Sequence, residues 1–347
     1  MEVTETNELN STSSEIASNG VDPISLKMRH LLQVVTYVFM CGTVSLLGII
    51  TNILNVVVFV RQGFRETINI SLLGLAVADL LSVTTMFVIS LSFIPLLDVS
   101  HLQVNLFDVL YLTVGWPHVS FNRISSTITA YISLERCLCV TLPLQVKDII
   151  TPLKTKVVIG LIYVIIITFF TPFYFVNKLD WCYNKIWNRT ILSLTFAENR
   201  VEVETATFPI HSVFIPLLAQ FIVIVCTLVI VFQLNSKTKW RMTSVSQTTK
   251  LGTNSAKEKN VAKMVIFLSA IFLICYLPST VNFLMMILFP NFSFGGKYEN
   301  MYILIWSLTV FVETINSSVN IFVYLRMSTK FRFAFKETFR AIHWGFH

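Results

Sequence analysis

The chain is poor in charged residues and has no long polar segment. Asp, Glu, Lys and Arg make up only 13% of its 347 residues, whereas soluble domains usually contain about 25%. The polar stretches between its apolar runs are too short to fold as separate domains. The composition therefore predicts one membrane domain without a soluble catalytic or binding module.

Several motifs are also missing. The sequence contains neither His-Glu-x-x-His nor Gly-x-Ser-x-Gly, the signatures of a zinc peptidase and a serine hydrolase, so we do not expect an enzyme. It shows no internal repeat, which argues against the repeated halves of many transporters. Residues 1–30 have no apolar run and do not form a cleavable signal peptide.

Cysteines offer little basis for a disulfide. Of the six, only Cys182 lies in a predicted outer segment. The others lie within apolar runs or at a helix end, where cysteine usually behaves as a small apolar residue; they are Cys41, Cys137, Cys139, Cys226 and Cys275.

Seven long apolar runs are the main positive feature. They cover residues 34–60, 68–97, 109–134, 157–176, 208–234, 261–289 and 301–325. A helix of about 20 apolar residues crosses a bilayer, and helices satisfy their own backbone groups there. We predict an all-α membrane protein with a seven-transmembrane helix bundle, residues 34–325, after a tail of residues 1–33. Residues 326–347 are predicted to form a cytoplasmic amphipathic helix and tail, because phenylalanines recur every four residues from Phe331.

The net charge of +7 does not indicate nucleic-acid binding, because the charges alternate with the spans. Most Lys and Arg fall on one side and most Asp and Glu on the other, which predicts an extracellular N-terminus and a cytoplasmic C-terminus in the plasma membrane. The bilayer is thus one expected partner.

The sequons at Asn10, Asn188 and Asn291 all fall in segments assigned outside, so we predict glycosylation there.

Polar residues within the spans are costly and therefore indicate function. One set lies near mid-membrane on four spans: Asn52, Asp79, Ser125, Asn316 and Asn320. Oxygen ligands of this kind suit a hydrated Na⁺ or a water cluster, so an allosteric Na⁺ at Asp79, Ser125, Asn316 and Asn320 is the only cofactor we expect. The alternative is hydrogen bonding that merely joins helices.

The order of several motifs resembles the rhodopsin-like family of G-protein-coupled receptors. Glu135-Arg136-Cys137 resembles the end of that family's third helix. Asn52 and Asp79 stand where the family has its helix-one Asn and helix-two Asp. Phe272 with Cys275-Tyr276-Leu277-Pro278 and the run from Asn320 to Tyr324 are similar to its helix-six and helix-seven motifs.

This resemblance implies a receptor that binds an extracellular neuropeptide or chemosensory small molecule and activates a heterotrimeric G protein, with arrestin as a further partner. The segments at residues 133–140 and 311–320 are similar to those of invertebrate, in particular molluscan, receptors of these classes. A transporter or channel for a small solute is the alternative, since it would also tolerate charges within the spans.

The resemblance also implies roles for particular residues. The switch that couples to the G protein would comprise Glu135, Arg136, Glu258, Phe272, Pro278, Asn320 and Tyr324. The ligand would meet the inner faces of helices three, six and seven at His118, Asn122, Arg123, Tyr276 and Glu313. Arg123 offers five donors suited to a carboxylate, but it could instead pair with Glu313 to hold the bundle.

Departures from the family pattern matter as well. Tyr276 replaces the family's helix-six Trp, and Ile321 replaces its helix-seven Pro. The family's usual disulfide joins the outer end of helix three to the second outer loop. Tyr111 occupies the helix-three position, so Cys182 has no partner for that bridge.

Overall fold

A computed structural model describes residues 22–94, 103–184, 188–243 and 252–344. Within these ranges seven long helices and one shorter helix follow one another. The helices are α1 (Leu26–Gln62), α2 (Thr67–Ser92), α3 (106–141), α4 (Pro152–Val176), α5 (200–243), α6 (Gly252–Leu288), α7 (Glu299–Met327) and α8 (Thr329–Trp344). Strands β1 (Asn177–Asn184) and β2 (Arg189–Phe196) form an antiparallel hairpin between α4 and α5.

The predicted seven-helix bundle is confirmed. Six helices (α1, α2, α4, α5, α6 and α7) are long and apolar enough to cross a membrane. The remaining one, α3, carries polar side chains that lower its hydropathy, and thirteen of its residues from Trp116 onward are buried. Large apolar side chains such as Phe221 and Phe232 lie on the outer surface, where hydrocarbon solvates them.

The apolar core surrounds α3. Ile124, Ile128 and Ile132 project from it every four residues and pack against Leu75 of α2 and Ile159 of α4. This spacing places them on one helix face. The polar residues of α3 point to other faces, so the apolar stripe fixes how α3 presents its functional side chains.

Helices α1 and α7 approach each other very closely. A Cβ atom on Gly48 would collide with Ser318 Oγ and lie 3.0 Å from Val83 Cγ1. Thr51 Oγ1 donates to Ser318 O at 3.1 Å, and Asn52 Nδ2 donates to Ser317 O at 2.7 Å. Glycine is needed at position 48 because the neighbouring helix occupies the space that any side chain would fill.

Several helices extend beyond the predicted apolar runs. Helix α1 begins at Leu26, where Ser25 Oγ accepts a hydrogen bond from Met28 N at 3.3 Å and so caps the helix. Helix α5 begins at Arg200, and the outer segment before it contains the β1–β2 hairpin. Apolar length underestimates these helices because their ends continue into water.

The predicted C-terminal helix is confirmed as α8. Phe331 packs against Tyr324 of α7 and Phe59 of α1, with ring centroids 5.4 and 5.2 Å apart. Lys330 Nζ lies 3.0 Å from Glu66 Oε2 in the α1–α2 turn. These contacts hold α8 against the end of the bundle.

Candidate ligand-binding site and switch

Asn122 joins three helices through its side chain. Its Oδ1 accepts a hydrogen bond from Ser82 Oγ of α2 at 2.6 Å. Its Nδ2 lies 3.2 Å from both His118 Nε2 and Glu313 Oε2 of α7. Every donor and acceptor of the amide therefore has a partner, which makes Asn122 the centre of a buried network.

The same network settles how His118 is oriented. Its Nδ1 lies 3.1 Å from the Ser82 carbonyl oxygen and 3.2 Å from Thr85 Oγ1. A carbonyl only accepts, so Nδ1 carries the proton and Nε2 accepts from Asn122. His118 and Asn122 are four residues apart on one face of α3 and are in contact, but both side chains already bond within the protein.

Tyr276 and Phe272 of α6 pack beneath this network. The rings lie 4.7 Å apart and are almost completely buried. Tyr276 OH donates to the Asn122 carbonyl oxygen at 3.3 Å. Pro278 lies within α6 two residues further on. Tyr276 thus bonds α6 to α3 two residues before the proline within α6.

Arg123 lies outside this network. It is only 3% exposed, yet its Nε and Nη1 have no hydrogen-bond partner. Its guanidinium carbon lies 5.8 Å from the centre of the Phe283 ring. Among the described residues it forms no ion pair with Glu313, whose carboxylate accepts instead from Asn122. The direct Arg123–Glu313 pair, one of the two predicted alternatives, is absent from this structure.

Other buried polar groups without partners surround the same region, and the sequence did not reveal them. Both ring nitrogens of His211 in α5, both amide atoms of Asn282 in α6 and Trp116 Nε1 in α3 have no partner. His211 packs against Phe170, with ring centroids 4.2 Å apart, and Trp116 lies against the same ring, with centroids 6.2 Å apart. Leaving such groups unpaired is unfavourable, so water or a ligand would complete this site. The signal that sequence reasoning could have used is that these polar side chains stand within mainly apolar helices.

The predicted mid-membrane set assembles in part. Asp79 Oδ1 accepts from Ser125 Oγ at 2.7 Å, and Oδ2 accepts from Asn320 Nδ2 at 2.8 Å. Ser317 Oγ of the same helix as Asn320 is buried without a hydrogen-bond partner. Asp79 thus connects α2, α3 and α7.

Asn52 and Asn316 lie apart from the carboxylate. Asn52 bonds to the backbone of α1 and α7. Asn316 lines a cavity of about 10 Å³ together with Phe272, Ser269 and Asn320. That volume accommodates about one water molecule.

Arg136 is held at the inner end of α3. Its Nη2 pairs with the fully buried carboxylate of Glu135 and lies 3.4 Å from Thr67 Oγ1 of α2. Glu135 also accepts from Thr67 and from Ser71 Oγ, the latter at 2.9 Å. These bonds turn Arg136 toward α2. The side chain of Glu258 lies outside the described residues, so its predicted contact with Arg136 stays a prediction.

Tyr324, the last predicted switch residue, packs rather than bonds. Its ring lies 5.2 Å from Phe59, and its hydroxyl has no hydrogen-bond partner.

Two predicted glycosylation sites are exposed: Asn188 in the hairpin turn, with a left-handed φ of 48°, and Asn291 between α6 and α7. Asn10 lies outside the described residues.

Residues 51–324 match the family described as 7 transmembrane receptor (rhodopsin family). The chain is 24% identical over 324 residues to galanin receptor 2b of Danio rerio, covering 92% of this chain and 78% of that receptor. It is 26% identical over 305 residues to the allatostatin-A receptor of Bombyx mori, covering 85% and 77%. It is also 23% identical over 351 residues to the thyrotropin-releasing hormone receptor of Homo sapiens, covering 94% and 83%.

Proposed function

The chain belongs to the rhodopsin family of seven-transmembrane receptors, and from that premise we propose that its extracellular ligand is a peptide. It is a multi-pass membrane receptor that signals through G proteins, and the transporter alternative is not favoured. The relatives named above are receptors for galanin, allatostatin-A and thyrotropin-releasing hormone, which supports a peptide over a chemosensory small molecule. The proposed likeness to molluscan receptors stays a prediction. No enzymatic activity is proposed.

The chemistry that Arg123 offers supports a ligand group rich in acceptors. The guanidinium, His211 and Trp116 place N–H donors without acceptors in one buried region, and Asn282 adds an unpaired amide. A carboxylate, or a run of peptide carbonyls, would satisfy these donors, and a carboxylate would also neutralise the buried positive charge. His118 and Asn122, whose polar atoms are already bonded, would shape the site instead of anchoring the ligand.

A peptide panel tests this proposal. Synthetic galanin, allatostatin-A and thyrotropin-releasing hormone would be applied to cells expressing the receptor, together with amidated and free-acid forms of a random peptide library. G-protein dissociation is the readout. A saturable, receptor-dependent response to a peptide supports the proposal, whereas the absence of a response to every peptide in cells that display the receptor contradicts it.

The variant Arg123→Gln then tests whether Arg123 binds an acidic group of the ligand. Potency of an acid-containing agonist should fall at least about tenfold, because a charge-assisted hydrogen bond to a buried group is lost. An agonist without the acidic group should be unaffected. Arg65→Gln, which alters an exposed arginine in the α1–α2 turn, is the matched control. Equal potency in Arg123→Gln and wild type would exclude the anchor.

For the response itself, we propose that agonist stabilises a state in which α6 swings outward around Pro278. The bond from Tyr276 to α3 would be the contact that the ligand loosens. Arg136 would then leave Glu135 and meet the G protein in the opened cleft. Glu258 and Asn320 are proposed as further members of this switch.

We also propose that Na⁺ binds beside Asp79 and favours the resting state. The carboxylate, Ser125 Oγ and the unpaired Ser317 Oγ supply oxygen ligands that fit this ion, and Asn316 and Asn320 border the site. The alternative, in which these groups only join helices, predicts no effect of Na⁺ on agonist affinity.

The proposed orientation places the N-terminus outside and α8 at the inner membrane surface. Its exposed basic residues, such as Arg332, would contact anionic lipid, and arrestin would share the inner surface with the G protein. Accessibility of an N-terminal epitope tag on intact cells tests the orientation. Labelling that requires permeabilisation would contradict it.

A further inference from the structure

The β1–β2 hairpin lies against the outer end of α3 without a covalent bond. Cys182 of β1 is a free thiol, as are the other five cysteines. Instead, Val104 forms a parallel bridge with Leu192 of β2. Asn105 N donates to Leu192 O, and Leu192 N donates to Gln103 O, both at 2.8 Å. The segment before α3 therefore acts as a short third strand.

Asp108 adds a second contact from the first turn of α3. Its Oδ2 accepts hydrogen bonds from Ser193 Oγ and from Leu194 N, the latter at 2.9 Å. A carboxylate makes stronger bonds of this kind than a neutral acceptor. Its negative charge is also favoured at a helix N-terminus. One side chain thus holds two successive residues of β2.

We propose that Asp108 is the positioning residue that fastens the hairpin to α3 and so sets the outer entrance of the ligand site. The hairpin leads into α5, which carries His211, and Ala197 N donates to Val176 O at 2.9 Å where the hairpin closes. Displacing β2 would therefore change the path by which a ligand reaches the proposed binding residues. This inference rests on the proposed ligand site, and it makes the fastening independent of redox conditions.

Hydrogen exchange at the amide of Leu194 measures this fastening directly, because Asp108 is the acceptor of that N–H. The full-length receptor would be studied in lipid nanodiscs without agonist or G protein. Asp108→Ala should speed exchange at Leu194 at least about tenfold, since the opening of the hairpin no longer breaks a charge-assisted bond. The melting temperature should stay unchanged, because the bundle does not depend on this contact.

Asp180→Ala is the matched control. Asp180 lies in the same hairpin, is exposed, and accepts a hydrogen bond from its neighbour Trp181 N at 2.8 Å. Its removal should leave exchange at Leu194 unchanged. Dithiothreitol added to the wild type should also have no effect. Faster exchange with dithiothreitol, or equal effects of the two alanine variants, would overturn the proposal.

Milder variants decide the matter if Asp108→Ala fails to fold. Asp108→Asn keeps an acceptor without charge, and Ser193→Ala removes one of the two bonds. Each should give an increase in exchange smaller than tenfold but above wild type. Wild-type exchange in both would refute the role of Asp108. Because the measurement needs no signalling, its failure is separate from failure of the proposed ligand site.

Discussion

Two asparagines with equal burial provide the sharpest test of the inner network. Asn122 and Asn282 are each 3% exposed. Asn122 makes hydrogen bonds with all of its side-chain groups, whereas neither amide atom of Asn282 has a partner. Replacing each by leucine, which has a similar volume, separates the effect of lost hydrogen bonds from the effect of burial.

Asn122→Leu should destabilise the receptor. It removes partners from the Ser82 hydroxyl, His118 Nε2 and the Glu313 carboxylate. A buried group left unpaired costs about 1–3 kcal/mol, and more when it is charged. Ser82 can rotate to a carbonyl of its own helix, so we expect a total loss of about 3 kcal/mol from the weakened bonding of His118 and Glu313. At roughly 2 °C per kcal/mol for a large domain, the melting temperature should fall by roughly 6 °C.

Asn282→Leu should leave the melting temperature unchanged or raise it. Leucine removes polar atoms that the resting structure does not satisfy, and apolar replacement of unpaired groups is neutral or favourable. If Asn282 meets the ligand, agonist potency should fall in this variant despite normal stability.

Thermal unfolding followed with a thiol-reactive dye is the assay. The buried cysteines Cys41, Cys226 and Cys275 become reactive only when the bundle opens, so no label needs to be introduced. Surface expression on cells gives a second measure. Equal losses of stability in both leucine variants would refute the reasoning, because burial and not hydrogen bonding would then decide stability.

Three further outcomes follow from contacts described above. Arg136→Ala should abolish G-protein activation at normal surface density; normal signalling would contradict the switch. Asp79→Asn should remove any Na⁺ dependence of agonist affinity, because it deletes the full negative charge between Ser125 and Asn320. If Na⁺ does not affect agonist affinity in the wild type, the polar residues around Asp79 only join helices by hydrogen bonds. Gly48→Ala should cost about 1–3 kcal/mol through overpacking, visible as a lower melting temperature, and Ser318→Ala should partly restore it; an unaffected Gly48→Ala would contradict the close approach of α1 and α7.

The bundle could be predicted from sequence because long apolar runs mark the helices that cross a bilayer. Within α3, the spacing of His118 and Asn122 placed them on one face, and their side chains do meet. Arg123 shows where this reasoning ends. One residue corresponds to about 100° around a helix, so Asn122 reaches Glu313 while Arg123 turns away from it. Only the packed structure shows which of the two neighbouring residues, Asn122 or Arg123, forms the hydrogen bond to the Glu313 carboxylate.

Other features depend on tertiary contacts that spacing does not encode. His211 and Asn282 sit in apolar stretches of different helices, and their relation to Arg123 appears only when α5 and α6 pack on α3. The hairpin was missed because charged and polar residues, such as Asp180, interrupt its strands. Cys182 was correctly predicted to lack its usual partner, but nothing in the sequence indicated that Asp108 would face β2.

The close packing of α1 on α7 has a practical value for spectroscopy. Because Thr51 and Asn52 bond to the α7 backbone and Gly48 leaves no gap, these two helices should move together as a single frame. A pair of spin labels on their exposed faces should then report one distance in every ligand state. Such a pair would provide a constant reference distance, and the displacement of α6 can be measured relative to it in the same sample.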